Sequence, residues 1–361
     1  MTPDAPSEVR AWVVEAYRPG DETAIIGLFK SEFGRERSLE HWRWKFLQNP
    51  YGGPFISLAW HREQRFLVGN QVLMPFPLCV DGRRVLGGHS LDLVVHHDFR
   101  KQGVFEHTGR HAIENLRLAG GVVVVAFPNA SSYPGFVRTL EWRRILEPRR
   151  RLLRLGVRRK LRRLLPVPLA PEVIDAGFRA AAHFGVWRRV QAARAAAPEF
   201  EVAHLDRLPD SVDALWDRER QVVDLALWKD REYLAWRYEK NPDHEFVYHA
   251  LLRGRALEGL AISTTRDGVV LLCEFMVPSR HALVGRRLLT ETCLHYVDGS
   301  TDEIQFLGHD AGYHQEVFEG FASKLSPDNV FVGRAIADEA LTERMAHADH
   351  WTLTYGDGDF V

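Results

Sequence analysis

The stretch Leu93-Val94-Val95-His96-His97-Asp98-Phe99-Arg100-Lys101-Gln102-Gly103-Val104-Phe105 decides how this chain is interpreted. An apolar run with strand character ends in a polar turn that contains one glycine, and a helical pattern follows as far as Leu118. A turn of this kind directs backbone N–H groups and the positive end of a helix at one point. The stretch therefore predicts a pyrophosphate site, although many strand–glycine–helix turns are only structural.

The segments around this turn predict a layered α/β fold. Asp81-Gly82 is a hairpin signal that leads into the strand ending at Val95. After the helix, Gly121 to Phe127 is a nearly continuous β-branched run, which is typical of a strand buried on both faces. Three strand patterns precede the hairpin: Phe55 to His61, Arg65 to Met74 and Pro77 to Val80.

The second half of the sequence repeats features of the first. Trp42-Arg43-Trp44 with Asn49-Pro50 returns as Trp236-Arg237-Tyr238 with Asn241-Pro242. The run that ends at Val95 likewise returns as Cys273-Glu274-Phe275-Met276-Val277, and a helical pattern follows each run. Shared order and similar spacing favour internal duplication over coincidental core patterning.

An arginine- and leucine-rich segment, Arg143 to Arg163, separates the two halves. We interpret residues 148–198 as a basic helical linker between an N-terminal domain, residues 1–147, and a C-terminal domain, residues 199–361. Three roles stay open for the linker: a solvated cationic helix pair, an interfacial helix drawn to anionic lipids, or a nucleic-acid contact. Nucleic acid is the least favoured partner because aromatic residues for base stacking are almost absent from it.

Composition excludes several other functions. The chain has 47 Lys and Arg against 48 Asp and Glu, so its net charge of −1 indicates no nucleic-acid partner. The first ten residues lack the apolar core of a secretion signal, and no apolar run approaches the roughly 18 residues of a membrane span. Cys79, Cys273 and Cys293 show no CxxC spacing and are expected to be reduced, which predicts a cytoplasmic protein.

The chain resembles the GNAT superfamily of acyl-CoA-dependent N-acyltransferases over most of residues 9–145. Arg100 and Gly103 match the family's Arg-x-x-Gly-x-Gly/Ala motif, in which Phe105 takes the place of the second small residue. Tyr17 to Asp21 resembles the family's first strand and turn, and Phe127 to Trp142 resembles its fifth strand and following helix. The resemblance implies an α/β (α+β) fold of two GNAT-like mixed-sheet halves joined by the Arg-rich helical linker.

The resemblance also implies a site for acetyl-CoA or another acyl-CoA in the N-terminal half alone, because the second half does not keep the phosphate loop. Backbone N–H groups of the strand before the loop would polarise the thioester carbonyl. The residues assigned to CoA are Leu93, Val94, Val95, Arg100, Lys101, Gln102, Gly103, Val104, Phe105, Asn129 and Ser132.

A base must take a proton from the amine before it attacks, and an acid must protonate the departing thiolate. Asp92 is the first choice for the base, because a carboxylate in an apolar strand is costly unless it is paired or functional. A salt-bridged structural Asp92 is the alternative, and His96 and His97 at the strand end are further candidate bases. Tyr133 is assigned as the acid, because Val137 stands where many family members place a tyrosine.

The second half is expected to shape the pocket of a small-molecule amine acceptor through Glu274, His309, Asp357 and Asp359. Gly356-Asp357-Gly358-Asp359 lacks the remaining ligands of a calcium loop, so no metal is predicted. The chain as a whole resembles bacterial double-GNAT proteins, some of which acylate nucleotide-linked amino sugars. A Fem-type aminoacyl transferase for peptidoglycan and a non-catalytic binding protein with the GNAT fold are the alternatives.

Overall fold

The computed structural model of the chain describes residues 10–34, 37–157, 161, 170–297, 301–308, 312–319, 323–324 and 330–359. The chain divides into two compact units. The first contains Met1–Phe76, Leu86–Arg143 and Val332–Thr342, and the second contains Pro77–Val85, Arg144–Phe331 and Glu343–Val361. The predicted linker, residues 148–198, therefore lies within the second unit.

The described part of the chain contains both strands and helices. The strands are β1 (Trp12–Ala16), β2 (Phe55–His61), β3 (Leu67–Val80), β4 (Arg83–Val95), β5 (Val123–Ala126), β6 (Arg143–Leu146), β7 (Arg149–Arg154), β8 (Glu201–Leu205), β9 (Leu225–Leu227), β10 (Val247–Arg253), β11 (Ala256–Arg266), β12 (Val269–Met276), β13 (Glu303–Gly308), β14 (Ser323–Lys324), β15 (Phe331–Ala335) and β16 (Trp351–Thr352). The α-helices are α1 (Glu22–Phe33), α2 (Leu39–Phe46), α3 (Val104–Leu118), α4 (Ala170–Ala196), α5 (Val212–Glu219), α6 (Arg231–Leu234), α7 (Ala282–Leu294), α8 (Gly312–Phe318) and α9 (Glu339–Met345). Two π-helical segments cover Gly135–Thr139 and Ala235–Glu239.

The first unit is built on a mixed sheet with the strand order β1-β2-β3-β4-β5-β15. β1 and β2 run antiparallel to their neighbours, β4 and β5 are parallel, and β15 is antiparallel to β5. The two strands predicted for residues 65–74 and 77–80 form one strand, β3, which continues through Pro75 and Pro77. The predicted break is absent because the last residues of β3, Leu78–Val80, pair with β9.

The second unit is built on a second mixed sheet with the order β14-β7-β13-β12-β11-β10-β8. It repeats the plan of the first, because β12 and β13 are parallel and α7 follows β12 as α3 follows β4. The two Asn-Pro motifs also make equivalent hydrogen bonds. Asn49 Oδ1 accepts from the Tyr51 N–H, and Asn241 Oδ1 accepts from the Asp243 N–H, both at 2.9 Å. The expectation of two GNAT-like mixed-sheet halves is confirmed.

The arginine-rich segment differs from its prediction. Arg149–Arg154 forms β7, which lies between β13 and β14 in the sheet of the second unit, so the helical prediction is wrong for these residues. The run Arg-Arg-Arg-Leu-Leu-Arg has no clear periodicity, and pairing with β13 overrides the helical propensity of arginine and leucine. The helical part of the predicted linker is α4, whose inner side places Val186 and Val190 in the core. Among the described residues, no helix is both long and apolar enough to cross a bilayer.

Candidate active site

A cleft opens in the first unit where β4 separates from β5. The two strands pair over Gly87–His89 and Val123–Val125. Farther along, Leu93, Val94 and Val95 of β4 line a cleft of about 650 Å³. The other lining residues are Phe33, Phe99, Arg100, Lys101, Gly103, Val104, Phe105, Glu106, Asn129, Ser131, Ser132, Gly135 and Thr139. Ten of the eleven residues that the resemblance assigned to CoA line this cleft, and Gln102 is the one that does not. The ten are Leu93, Val94, Val95, Arg100, Lys101, Gly103, Val104, Phe105, Asn129 and Ser132.

The turn between β4 and α3 has the backbone of an anion site. Gly103, which begins α3, has a left-handed φ of 80°, and Lys101 has a φ of 63°. The first N–H groups of a helix have no partner within it, and the helix dipole adds positive potential at the same end. Because Lys101, Gly103 and Val104 line the cleft, that end of α3 faces the cleft, and the diphosphate site stays a prediction.

Arg100 is oriented by a glutamate that sequence reasoning missed. Glu32 lies on α1, is almost fully buried, and its Oε2 accepts from Arg100 Nη2 at 2.5 Å. His97 donates to Glu32 Oε1 through its backbone N–H at 3.2 Å and contacts the same atom through Nδ1 at 2.9 Å. Burial alone would raise the pKa of Glu32, but the hydrogen bonds from His97 lower it, and the bond to Glu32 raises the pKa of His97. A lone Glu on an amphipathic helix gave no signal for this contact.

Glu32 and His97, together with the neighbouring His96, also form a group of side chains that could hold a metal ion. Glu32, His96 and His97 each offer one ligand atom, and these atoms lie within 4.8 Å of one another. The carboxylate of Glu32 is already bound to Arg100 and His97, so the ion pair accounts for the arrangement.

The Phe105 ring has room because the residue opposite it, Gly135, has no side chain. The Phe105 ring packs edge to face on Phe136, with the ring centroids 5.5 Å apart. A Cβ atom added to Gly135 would lie 2.8 Å from Phe105 Cε1, closer than real contacts allow. Gly135 therefore permits a phenylalanine where the family usually has Gly or Ala.

We expect Gly135→Ala to weaken CoA binding by about 10- to 100-fold, because overpacking of about 1–3 kcal/mol would push the Phe105 ring into the cleft. Isothermal titration with CoA measures the change. Gly27→Ala is the matched control, because nothing lies within 4 Å of the added Cβ, and its affinity should equal that of the parent protein. Phe105→Leu in the Gly135→Ala background should recover binding. Unchanged affinity in Gly135→Ala would contradict this geometry.

Asp92 sits in a buried ion-pair cluster of the first unit. One carboxylate oxygen accepts from Arg37, and the other lies 3.8 Å from Lys45 Nζ. Its side chain is 1% exposed and is outside the lining of the cleft. Asp92 also has a left-handed φ of 48°, and its carbonyl accepts from Asn70 Nδ2 at 2.6 Å. The assignment of Asp92 as base stays a prediction, and this geometry favours the structural alternative.

Glu274 takes the equivalent position in the second unit and is bound in the same manner. Tyr238 donates to Glu274 Oε1 at 2.6 Å, and Lys229 Nζ lies 2.5 Å from Oε2. Lys45 directly follows the Trp42-Arg43-Trp44 motif, and Tyr238 is the last residue of its repeat. In each half, the carboxylate on the strand therefore contacts a residue in or next to the repeated motif. The shared arrangement indicates that both acids connect the sheet to this motif.

In the second unit, the C-terminal segment of the chain makes hydrogen bonds to both β12 and β13. Thr354 Oγ1 donates to Glu274 of β12 at 2.9 Å, and Tyr355 OH donates to Gln305 of β13 at 3.2 Å. The C-terminal segment thus spans the two strands where the first unit has its cleft. This observation supports the prediction that CoA binds only the N-terminal half.

The remaining predicted residues are scattered. Tyr133 is half-buried directly after Ser132, and its N–H donates to the Asn129 carbonyl at 3.0 Å. His96 stacks on His97 with ring centroids 4.3 Å apart, and the Gln102 side chain donates to the Asp98 carbonyl at 2.7 Å. Tyr133 and His96 are outside the cleft lining, so their catalytic roles stay predictions.

The acceptor residues predicted in the second unit are largely enclosed. Glu274 and Asp357 are buried, and Asp357 caps the turn at Thr354, whose N–H donates to Asp357 Oδ2 at 2.6 Å. Burial raises the pKa of Asp357 to about 6, although Lys229 opposes this shift. Asp359 is exposed, and His309 lies outside the described residues.

Residues 14–145 match the family model of the acetyltransferase (GNAT) domain. This stretch is a GNAT domain. Acyl transfer is the reaction class of this domain, so the chain carries an acyltransferase domain of GNAT type over residues 14–145. No curated protein sequence matches the chain.

Solved structures of low sequence identity share the fold over both halves. A GCN5-related N-acetyltransferase from Kribbella flavida has 14% identity and a TM-score of 0.62, with 90% of this chain and 72% of that chain covered. The Saccharomyces cerevisiae N-myristoyltransferase with bound myristoyl-CoA has 12% identity and a TM-score of 0.58, with 92% and 81% covered. A tandem GNAT protein from the clavulanic acid biosynthesis pathway has 13% identity and a TM-score of 0.53, with 91% and 99% covered. The chain therefore has a tandem GNAT fold.

Proposed function

We propose that this protein transfers an acetyl or other short acyl group from acyl-CoA to a primary amine on a small molecule, with nucleotide-linked amino sugars as the acceptor class. The observation that carries the proposal is the cleft between β4 and β5, which ends at the open N-terminus of α3. The GNAT match over residues 14–145 supports the same assignment.

In this proposal, the diphosphate of the acyl carrier binds the N–H groups at Gly103 and Val104, with Lys101 and Arg100 beside it. The carrier arm then follows β4 past Val95 toward Leu93. A backbone N–H of this part of β4 donates to the thioester oxygen, whose negative charge grows as the amine adds to the carbonyl carbon. The amine must arrive neutral, so its proton leaves to water or to a side chain of the acceptor pocket. As the tetrahedral adduct collapses to the amide, the C–S bond breaks and the CoA thiolate leaves, taking a proton from water or from an acid such as the proposed Tyr133.

The cleft makes a direct prediction about ligand binding. We expect CoA to bind the full-length protein with one site per chain, as measured by isothermal titration. An acyl-transfer screen with acetyl-CoA, longer acyl-CoAs and amine acceptors, read by mass spectrometry, then tests the substrates. Absence of heat at millimolar CoA would overturn the proposed carrier, whereas CoA binding with turnover of only long acyl chains would overturn the short acyl group.

We also propose a cytoplasmic location. Cys79, Cys273 and Cys293 are free and buried, and burial raises the pKa of each thiol. Buried unpaired thiols are the usual state in a reducing compartment, which supports this location.

A further inference from the structure

Helix α4 carries an unusual number of exposed apolar side chains. Single exposed apolar residues are ordinary on protein surfaces, but a group on one helix indicates an interaction surface. The group on α4, called here the α4 face, consists of five residues with exposed fractions from 37% to 72%: Val173, Ile174, Phe178, Phe184 and Trp187.

The α4 face lies opposite the buried side of the helix. At 3.6 residues per turn, Val173, Phe184 and Trp187 point away from the side that holds Val186 and Val190 in the core. The Phe184 and Trp187 rings stack with their centroids 6.0 Å apart. This side of the helix therefore presents a continuous apolar surface rather than isolated residues.

The charged residues of the same helical stretch are turned inward. Asp175 is buried and accepts from the Val157 N–H at 2.6 Å and from Arg179 Nε at 2.7 Å. Arg179 also bridges to Asp302 at 2.5 Å. From Val173 to Trp187, the only other ionisable residue is His183, so the α4 face carries no acidic group.

Basic residues adjoin the α4 face along the sequence. In the sequence that leads into α4, residues 148–171 contain nine Arg and Lys and no Asp or Glu, whereas the rest of the chain is net acidic. Arg188 and Arg189 on α4 itself are exposed and follow Trp187 directly. An apolar helix face with a concentrated positive charge beside it is the pattern of helices that lie in the interface of an anionic membrane.

A groove along α4 adds a second observation. It has a volume of about 400 Å³ and is lined by apolar side chains, among them Ala193, Leu283 and Val317, with Arg189 and Arg286 at the same site. Thr290 and Glu319 complete the lining, so the two guanidinium groups outnumber the one carboxylate there. An apolar floor beside these two guanidinium groups suits the glycerol region and phosphate of one lipid.

We propose that the α4 face lies on an anionic lipid bilayer. The apolar side chains enter the headgroup boundary, and the neighbouring basic residues neutralise the lipid phosphates. A second copy of this chain is the less suitable occupant, because a symmetric contact would bring two sets of like charges together. The proposal is independent of the acyl-transfer reaction.

Vesicle sedimentation of the full-length protein tests the proposal. We expect binding to vesicles of phosphatidylcholine and phosphatidylglycerol to exceed binding to phosphatidylcholine alone by about tenfold or more, and to weaken as salt is raised. Phe184→Ser with Trp187→Ser should reduce binding to the anionic vesicles by about tenfold. Leu118→Ser with Val122→Ser is the matched control, because both residues are exposed apolar residues of the first unit, and its binding should equal that of the parent protein.

Three results would overturn the proposal. They are no sedimentation with anionic vesicles, equal binding to neutral vesicles, and unchanged binding of the Phe184→Ser/Trp187→Ser protein. A dimer in light scattering that this double variant abolishes would assign the face to a second copy instead. Circular dichroism and a thermal melt establish that each variant is folded before vesicles are added.

Discussion

Lys229→Met is expected to lower the free energy of unfolding by about 3–5 kcal/mol, because it leaves two buried carboxylates without their shared cation. Lys229 Nζ lies 2.5 Å from Glu274 Oε2 and 2.8 Å from Asp357 Oδ1, and all three side chains are buried. Burial alone would lower the pKa of Lys229, but the two carboxylates raise it, so the amine is charged. Urea unfolding followed by circular dichroism measures the loss.

Two further variants separate this cluster from a general effect of charge removal. Arg117→Met breaks a solvent-exposed pair with Glu114 and should barely change the unfolding midpoint. Adding Glu274→Gln and Asp357→Asn to Lys229→Met removes the unpaired charges and should recover part of the stability. If Lys229→Met had the same urea unfolding midpoint as Arg117→Met, the buried cluster would contribute little to the free energy of unfolding.

Asp92→Asn is the second change with a large expected effect. It removes the charge that faces Arg37 and buried Lys45 while keeping the shape of the side chain. We expect a loss of about 3–5 kcal/mol in the free energy of unfolding. We also expect kcat/KM to fall less than tenfold when it is measured below the melting temperature, because Asp92 is outside the cleft lining.

The pH dependence of kcat/KM distinguishes a structural role of Asp92 from a catalytic role. If Asp92 only supports the fold, the acidic limb of the profile keeps its midpoint in Asp92→Asn. A fall of more than 100-fold in kcat, with the acidic limb lost and the melting temperature unchanged, would identify Asp92 as the base after all. Asp98→Asn, in the exposed turn that follows β4, is the control and should alter neither the pH profile of kcat/KM nor the melting temperature.

The conformation of the turn between β4 and α3 was predictable because its determinants are local. Gly103 at the start of a helix and the apolar run to Val95 are visible in thirteen consecutive residues. The duplication was equally visible, since the Trp-Arg-aromatic and Asn-Pro motifs recur in order. Local conformation and repeat order are properties that a sequence carries directly.

The partners of the buried acids were not predictable. Glu274 is bound by Lys229 and Thr354, which lie 45 and 80 residues away along the chain. Glu32 reaches Arg100 from 68 residues away. Such pairs arise from packing and leave no periodic signal, so a carboxylate in an apolar strand showed only that some partner or function existed.

The same reasoning explains the error over Arg149–Arg154. A strand of this composition forms because β13 and β14 pair with it, and those residues come more than 140 positions later. Intrinsic propensity favoured a helix, and long-range pairing decided otherwise.

β7 and β15 connect the two sequence halves. β7 follows the first half in sequence but pairs with β13, and β15 belongs to the second half but pairs with β5. Each half thus supplies a strand to the sheet that the other half mainly builds, and a half expressed alone would leave backbone groups of β5 or β13 unpaired and open to aggregation. We therefore expect neither half to fold as a separate module.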